Sequence, residues 1–135
     1  MPFMVWDDTY SVKVNRCDLE HQRLFGIINA LQDAMSAGKG RNVVQRIVRE
    51  LNAYAKTHFS SEEMLLERAG YPALARHRSE HQAFIAEVTH FEKSIANGNV
   101  LISVEVMDFL RRWLSNHILQ TDRQYSEHLN RNGIK

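Results

Sequence analysis

Past residue 16, apolar residues recur at helical spacing, and the pattern breaks at three short stretches. Cys17, His21, Leu24, Ile28, Leu31 and Met35 follow one another at steps of 4, 3, 4, 3 and 4. Ile47, Leu51, Ala55, His58, Glu62 and Leu65 continue the habit, as do His77, His81, Phe84, Val88, Phe91 and Ile95. Met107, Leu110, Trp113 or Leu114, and His117 form the last stripe. The interruptions are A37-G38-K39-G40, G70-Y71-P72 and N97-G98-N99. Glycine or asparagine just past a helix, with proline soon after, ends helices because such residues leave the helical backbone cheaply. The pattern predicts an all-α fold with helices at about 17–37, 41–69, 73–96 and 102–128. Short links between long helices favour an up-down-up-down four-helix bundle. Asn15 or Asp18 is expected to cap the first helix and Ser103 the fourth. Residues 1–16 show no helical period and are expected to form an extended N-terminal arm, with Trp6 as its anchor.

The stripes carry an unusual cargo. Of the chain's 7 histidines, His21, His58, His77, His81 and His117 lie on the apolar faces, and Glu62 lies there with them. Asp122 follows His117 in H117-I-L-Q-T-D122. An i, i+4 step turns a helix by only about 40°, so His58/Glu62 and His77/His81 each aim two donors at one region. Antiparallel order then supplies a depth test. His21 opens the first helix, His58 and Glu62 come late in the second, His77 and His81 open the third, and His117 and Asp122 come late in the fourth. The starts of odd helices and the ends of even ones share one end of the bundle, so all of these groups fall at similar depth.

Asp122 does not fit a regular helix. A step of i+5 leaves it about 140° from His117, so a wide turn or π-type bulge is predicted between them, a distortion common at functional sites. The donors are imidazole nitrogens and carboxylate oxygens without thiolate, which excludes iron–sulfur clusters and cysteine-based zinc sites. They are too many for one tetrahedral zinc. They suit two metals that share carboxylates, with a solvent-derived oxygen completing the shells. Iron is favoured, and zinc or manganese could occupy the same donors.

Taken together, His21, H58-x-x-x-E62, H77-x-x-x-H81 and H117-x-x-x-x-D122 make the chain resemble the hemerythrins, specifically the bacterial single-domain type. V5-W6-D7, D18-x-x-H21-Q22-x-L24-F25, H58-F59 and W113-L114-x-x-H117-I118 look like the family's surroundings. The resemblance implies a single hemerythrin-like domain over 1–135 and two non-heme iron ions. His77, His81 and His117 would hold one iron and His21 and His58 the other, with Glu62, Asp122 and an oxo or hydroxo group as bridges. It further implies reversible dioxygen binding for storage, transport or delivery, with oxygen held as hydroperoxide on the five-coordinate iron, rather than catalysis. The alternative is a di-iron redox enzyme, or a sensor of oxygen, nitric oxide or peroxide, using the same site. Leu24, Phe59, Trp113, Leu114 and Ile118 are expected to wall a dry oxygen pocket.

Other residues are assigned blander roles. Cys17 reads as a small half-buried apolar residue, and Met64 and Phe84 as core. His90 is expected to face solvent, and His128 lies too far along the helix to share the site. Glu63 and Glu67 are expected at the surface or just outside the donors, and Tyr125 is a candidate to hydrogen-bond near them. A formal net charge of +1, from 17 basic and 16 acidic residues, argues against nucleic acid or anionic membrane as partner. No secretory signal or membrane span is legible. A lone cysteine suits a reducing compartment, so a cytoplasmic monomer is expected, with dioxygen as its partner and any recipient protein unknown.

Overall fold

The computed structural model describes residues 3–98 and 104–135, and among these every long element is helical. The helices are α1 (Asn15–Ser36), α2 (Arg41–Arg68), α3 (Leu74–Ala96), α4 (Val104–Asn116) and α5 (Ser126–Arg131). Between α4 and α5 run a π-helical segment, His117–Thr121, and a 3-10 segment, Asp122–Tyr125. The last stripe of the sequence is therefore helical throughout but changes its winding midway. The glycines stop helices as expected. Gly38 (φ 66°) and Gly70 (φ 64°) take left-handed backbone that a side chain would strain. Each lets the next amide turn back, Lys39 N to Ala34 O at 2.9 Å and Tyr71 N to Leu66 O at 2.9 Å, which satisfies carbonyls the helix end would orphan.

Cross-helix contacts fix the directions. Arg41, opening α2, reaches the carbonyl of Ala96 at the end of α3, and Asn52 donates to Glu92 at 3.0 Å. Glu20, early in α1, meets His58, late in α2, while Glu80, early in α3, meets His117 beyond α4. Neighbouring helices thus run antiparallel, and the four-helix bundle expected from the stripes is the fold observed. Its core holds Leu24, Ile28, Leu51, Leu66, Phe84 and Leu114 at near-zero exposure.

Several local expectations are corrected. Helix α1 starts at Asn15 rather than 17, and neither Asn15 nor Asp18 caps it; Val14 precedes it with no side-chain cap. Asp18 instead accepts from Ser11 Oγ (2.7 Å) and Val12 N (2.8 Å), so its carboxylate ties the arm down rather than closing the helix. Ser103 lies outside the described residues. Cys17 is wholly buried rather than half-buried, and Met64 is 51% exposed rather than core, because its position on α2 turns past the edge of the apolar stripe. Phe84 is core as expected.

The arm holds one short 3-10 turn, Asp8–Tyr10, capped by Asp7 through the Thr9 amide at 2.8 Å. Trp6 is half-buried and anchors it, stacking on Tyr10 (5.6 Å) and meeting the edge of Phe25 (5.5 Å). Nearer the N-terminus, Asn29 holds Met4 reciprocally: the Met4 amide donates to Asn29 Oδ1 at 2.6 Å, and Asn29 Nδ2 donates to the Met4 carbonyl at 2.8 Å. An Asn29→Ala substitution strands both partly buried backbone groups. It is expected to cost about 1–3 kcal/mol and to speed amide exchange at Met4 selectively, measurable by urea unfolding and hydrogen–deuterium exchange. Among the described residues no helix is long and apolar enough to cross a membrane.

Candidate metal centre

The π-helical segment is what brings the last donor in. The Asp122 amide donates to the carbonyls of both His117 and Ile118, and the widened turn rotates the Asp122 side chain back onto the face of His117. Asp122 is fully buried, and its Oδ1 stands 3.0 Å from His117 Nε2 and 3.0 Å from His77 Nε2. The bulge expected from the i+5 spacing is present where the spacing required it.

All of His21, His58, Glu62, His77, His81, His117 and Asp122 are buried. Their ligand atoms gather into two groups able to hold cations. Glu62, His77, His81, His117 and Asp122 form one; His21, His58 and Glu62 form the other. Glu62 belongs to both. Its Oε1 lies 2.8 Å from His77 Nε2 and 3.0 Å from His81 Nε2, and its Oε2 lies 3.4 Å from the Nε2 atoms of His21 and His58. Asp122 also spans the two, with Oδ2 3.2 Å from His21 Nε2.

The imidazoles are held from behind. A carboxylate can only accept, so the ring nitrogen facing it carries the proton. His58 Nδ1 donates to Glu20 Oε1 at 2.8 Å, His81 Nδ1 to Glu63 Oε2 at 2.8 Å, and His117 Nδ1 to Glu80 Oε1 at 3.3 Å. With a proton fixed outward on Nδ1, Nε2 is the nitrogen that faces the cluster, and it would offer its lone pair to a metal once any proton on it has left. The Nε2 atoms of His81 and His117 stand 3.1 Å apart. Two bare lone pairs at that distance would repel, so a proton or a metal cation must lie between them. Among the described residues neither Asp122 oxygen has a well-directed hydrogen-bond donor, and neither ring nitrogen of His21 has a well-directed partner. Buried polar atoms are rarely left so, and the donor set therefore fits metal ions.

Electrostatics agree. Burial pulls the His58 imidazole down, but Glu62, Glu20 and Asp122 outweigh it and raise it to about 10. Burial likewise opposes a raised His77, which Asp122 and Glu62 carry to about 10. Burial would push Glu62 up, yet the imidazoles around it hold it well below the usual carboxylate range. Asp122 is also depressed: burial and Glu62 push it up, and His117 and His21 more than reverse them. In the absence of metal, the cluster must borrow positive charge from protons.

Tyr125, buried on the 3-10 segment, donates to Glu62 Oε2 at 2.8 Å. Burial, with Glu62 and Asp122, pushes its phenol well above the ordinary value, so the donor proton stays in place. Burial also pushes the Cys17 thiol up. Glu63 lies directly behind His81 as one of its expected placements allowed, while Glu67 is an exposed partner of Arg78 at 3.5 Å. His90 is exposed, and His128 donates to the Ala69 carbonyl at 2.6 Å, away from the cluster.

Glu20 and Glu80 are the residues sequence reasoning missed. Each precedes a histidine (His21, His81) by one position, about 100° round the helix, and so faces the seam with a neighbouring helix rather than the apolar stripe. That offset was the only available signal. Of the expected pocket residues, Phe59 stacks on His81 with ring centres 3.9 Å apart, and Trp113 stacks on His117 at 4.5 Å. Leu24, Leu114 and Ile118 are fully buried in the core.

An antiparallel helical bundle that encloses a histidine-rich cluster bridged by two carboxylates defines a class of cation-binding bundle. Residues 12–129 match the family model described as "Hemerythrin HHE cation binding domain", and the chain belongs to the hemerythrin family. It is 34% identical over 134 residues to a bacteriohemerythrin of Stenotrophomonas maltophilia, covering 96% of this chain and 86% of that one. It is 36% identical over 126 residues to a bacteriohemerythrin of Clostridium acetobutylicum, covering 90% and 97%. A crystal structure of wild-type hemerythrin superposes with a TM-score of 0.86 at 29% identity, covering 94% of this chain and 98% of that one.

Proposed function

We propose that this protein binds dioxygen reversibly at a pair of non-heme irons. His77, His81 and His117 would hold one iron, and His21 and His58 the other, with Glu62 and Asp122 shared. The observation that supports this best is Glu62, buried and common to both donor groups, with imidazoles against each of its oxygens. When bound, the iron pair supplies the electrons that make oxygen uptake favourable and reversible. What the chain supplies is composition, orientation and dryness. Two carboxylates among five imidazoles are few anions for the site, which disfavours higher metal oxidation states and favours release of oxygen unchanged. Tyr125 holds a proton against Glu62 and fixes the orientation of that carboxylate.

Leu24, Phe59, Trp113, Leu114 and Ile118 are proposed to keep water from the oxygen. Apolar walls without polar partners hold no ordered water. Leu114→Ala removes buried bulk, and the proposed consequence is faster autoxidation with oxygen binding retained. Stopped-flow and slow absorbance traces on the oxygenated protein measure it, and an unchanged rate counts against the wall. The functional reading itself is tested by reducing the iron-loaded protein anaerobically, adding oxygen and then removing it. A visible absorption band that comes and goes supports carriage. Rapid one-way oxidation with turnover of peroxide would transfer the assignment to an enzyme.

A further inference from the structure

The carboxylates behind the imidazoles are unevenly shared between the two halves of the cluster. In the larger group, His81 is backed by Glu63, which Arg78 Nε holds in turn at 3.1 Å. His117 is backed by Glu80, which also accepts from Thr121 Oγ1 at 2.9 Å. In the smaller group, His58 is backed by Glu20, whose own partner, Arg16 Nε, is 3.7 Å away and largely exposed. Among the described residues nothing backs His21: its Nδ1 is buried without a hydrogen-bond partner there. The larger group also offers more donors.

We propose that Glu20, Glu63 and Glu80 are positioning residues for His58, His81 and His117, and that the His21–His58 half releases its metal first. This rests on the di-iron reading above. A carboxylate behind a ligating imidazole locks its ring, fixes its tautomer and raises its basicity, and losing such a partner typically costs roughly 10–100-fold in metal affinity. Two of the three imidazoles on the larger side carry that support with a further tether behind it. On the smaller side one imidazole has a loosely held support and the other has none. Metal in the smaller half is therefore bound by fewer atoms on less rigid rings.

The test is a chelator challenge of the anaerobic ferrous holoprotein, with retained iron counted by mass spectrometry over time. Two phases are expected. Diffraction at the iron edge from protein stopped between them is expected to place the surviving metal beside His77, His81 and His117. Glu20→Gln should accelerate the fast phase, and Glu63→Gln or Glu80→Gln the slow one, each by roughly 10–100-fold. Glu63→Asp should restore part of the loss. A readout that mere structural support would leave alone is the ring N–H resonance of each imidazole in the paramagnetic protein, which should exchange faster only where its carboxylate was removed. Release in one phase, survival of the His21–His58 metal, or variants that leave both rates and all ring N–H signals unchanged overturns the proposal. Failure to load a pair of irons at the outset overturns the metal-centre reading and this proposal with it, whereas a pair that loads and leaves together overturns this proposal alone.

Discussion

Glu62→Gln is expected to leave the protein unable to hold either metal at concentrations where the unaltered chain is filled. Among the described residues, Glu62 alone belongs to both donor groups, although Asp122 also reaches His21 with Oδ2 at 3.2 Å. Its two oxygens face four imidazoles, at 2.8 and 3.0 Å on one side and at 3.4 Å twice on the other. Glutamine keeps the volume but removes the charge, and it sets an amide N–H₂ where one oxygen stood. Loss of a supporting carboxylate behind a ligand already costs roughly 10–100-fold in affinity, so loss of a shared donor should exceed that in both halves. Tyr125 loses a charged acceptor at 2.8 Å in the same stroke. Removing one partner from a buried charged cluster typically destabilises by about 3–5 kcal/mol, so the metal-free variant should also unfold earlier. Metal counting after dialysis, beside thermal unfolding of the stripped variant, measures both effects. A Glu62→Gln protein that keeps its pair of irons would show that Glu62 is a bystander to the site.

Most of what places this cluster is written in helical phase. The stripe from Cys17 to Met35 and its three successors dictate which faces are buried, and the glycines at 38 and 70 dictate where each helix must turn back. From those two facts follow antiparallel packing and a common depth for His21, His58, His77 and His117. Phase even exposed its own exception, because the five-residue step to Asp122 could be reconciled with burial only by a π turn. What phase does not carry is the residue at a seam. Glu20 and Glu80 sit off the stripes at half-buried positions where a surface glutamate and a supporting one look alike in sequence. They are distinguished only by which neighbouring helix approaches, and that is tertiary information. Met64 failed for the converse reason: an apolar residue one step past the stripe can face solvent without cost to the pattern. Asp18 read as a cap because such a residue near a helix start usually is one, but the arm offered its amide and hydroxyl first.

Stripped of metal, the protein should be most stable in mildly acidic solution and should weaken steadily as pH rises from about 6.5 to 10, the reverse of the holoprotein's trend. The sign follows from the raised imidazoles. His58 and His77 titrate near 10 in the folded chain and near 6.5 when unfolded. A folded value above the unfolded one adds stability that is complete below pH 6.5 and vanishes as pH climbs through 10. Glu62 and Asp122 are depressed, so their contribution is complete above the ordinary carboxylate range and is lost progressively as pH falls from that range toward their lower folded values. The two windows overlap between roughly pH 5 and 6.5. Metal reverses the upper limb. A metal takes an Nε2 that carries no proton, so binding at His58 and His77 releases protons and strengthens as pH rises. Iron-loaded and stripped protein should thus differ least near pH 5–6 and most toward pH 10, as His58 and His77 shed the protons that substitute for metal around Glu62 and Asp122. Thermal unfolding of both forms under anaerobic conditions, from pH 5 to 10, measures the divergence. A stripped protein whose midpoint holds level or rises above pH 6.5 would mean that the imidazoles do not carry the protons assigned to them.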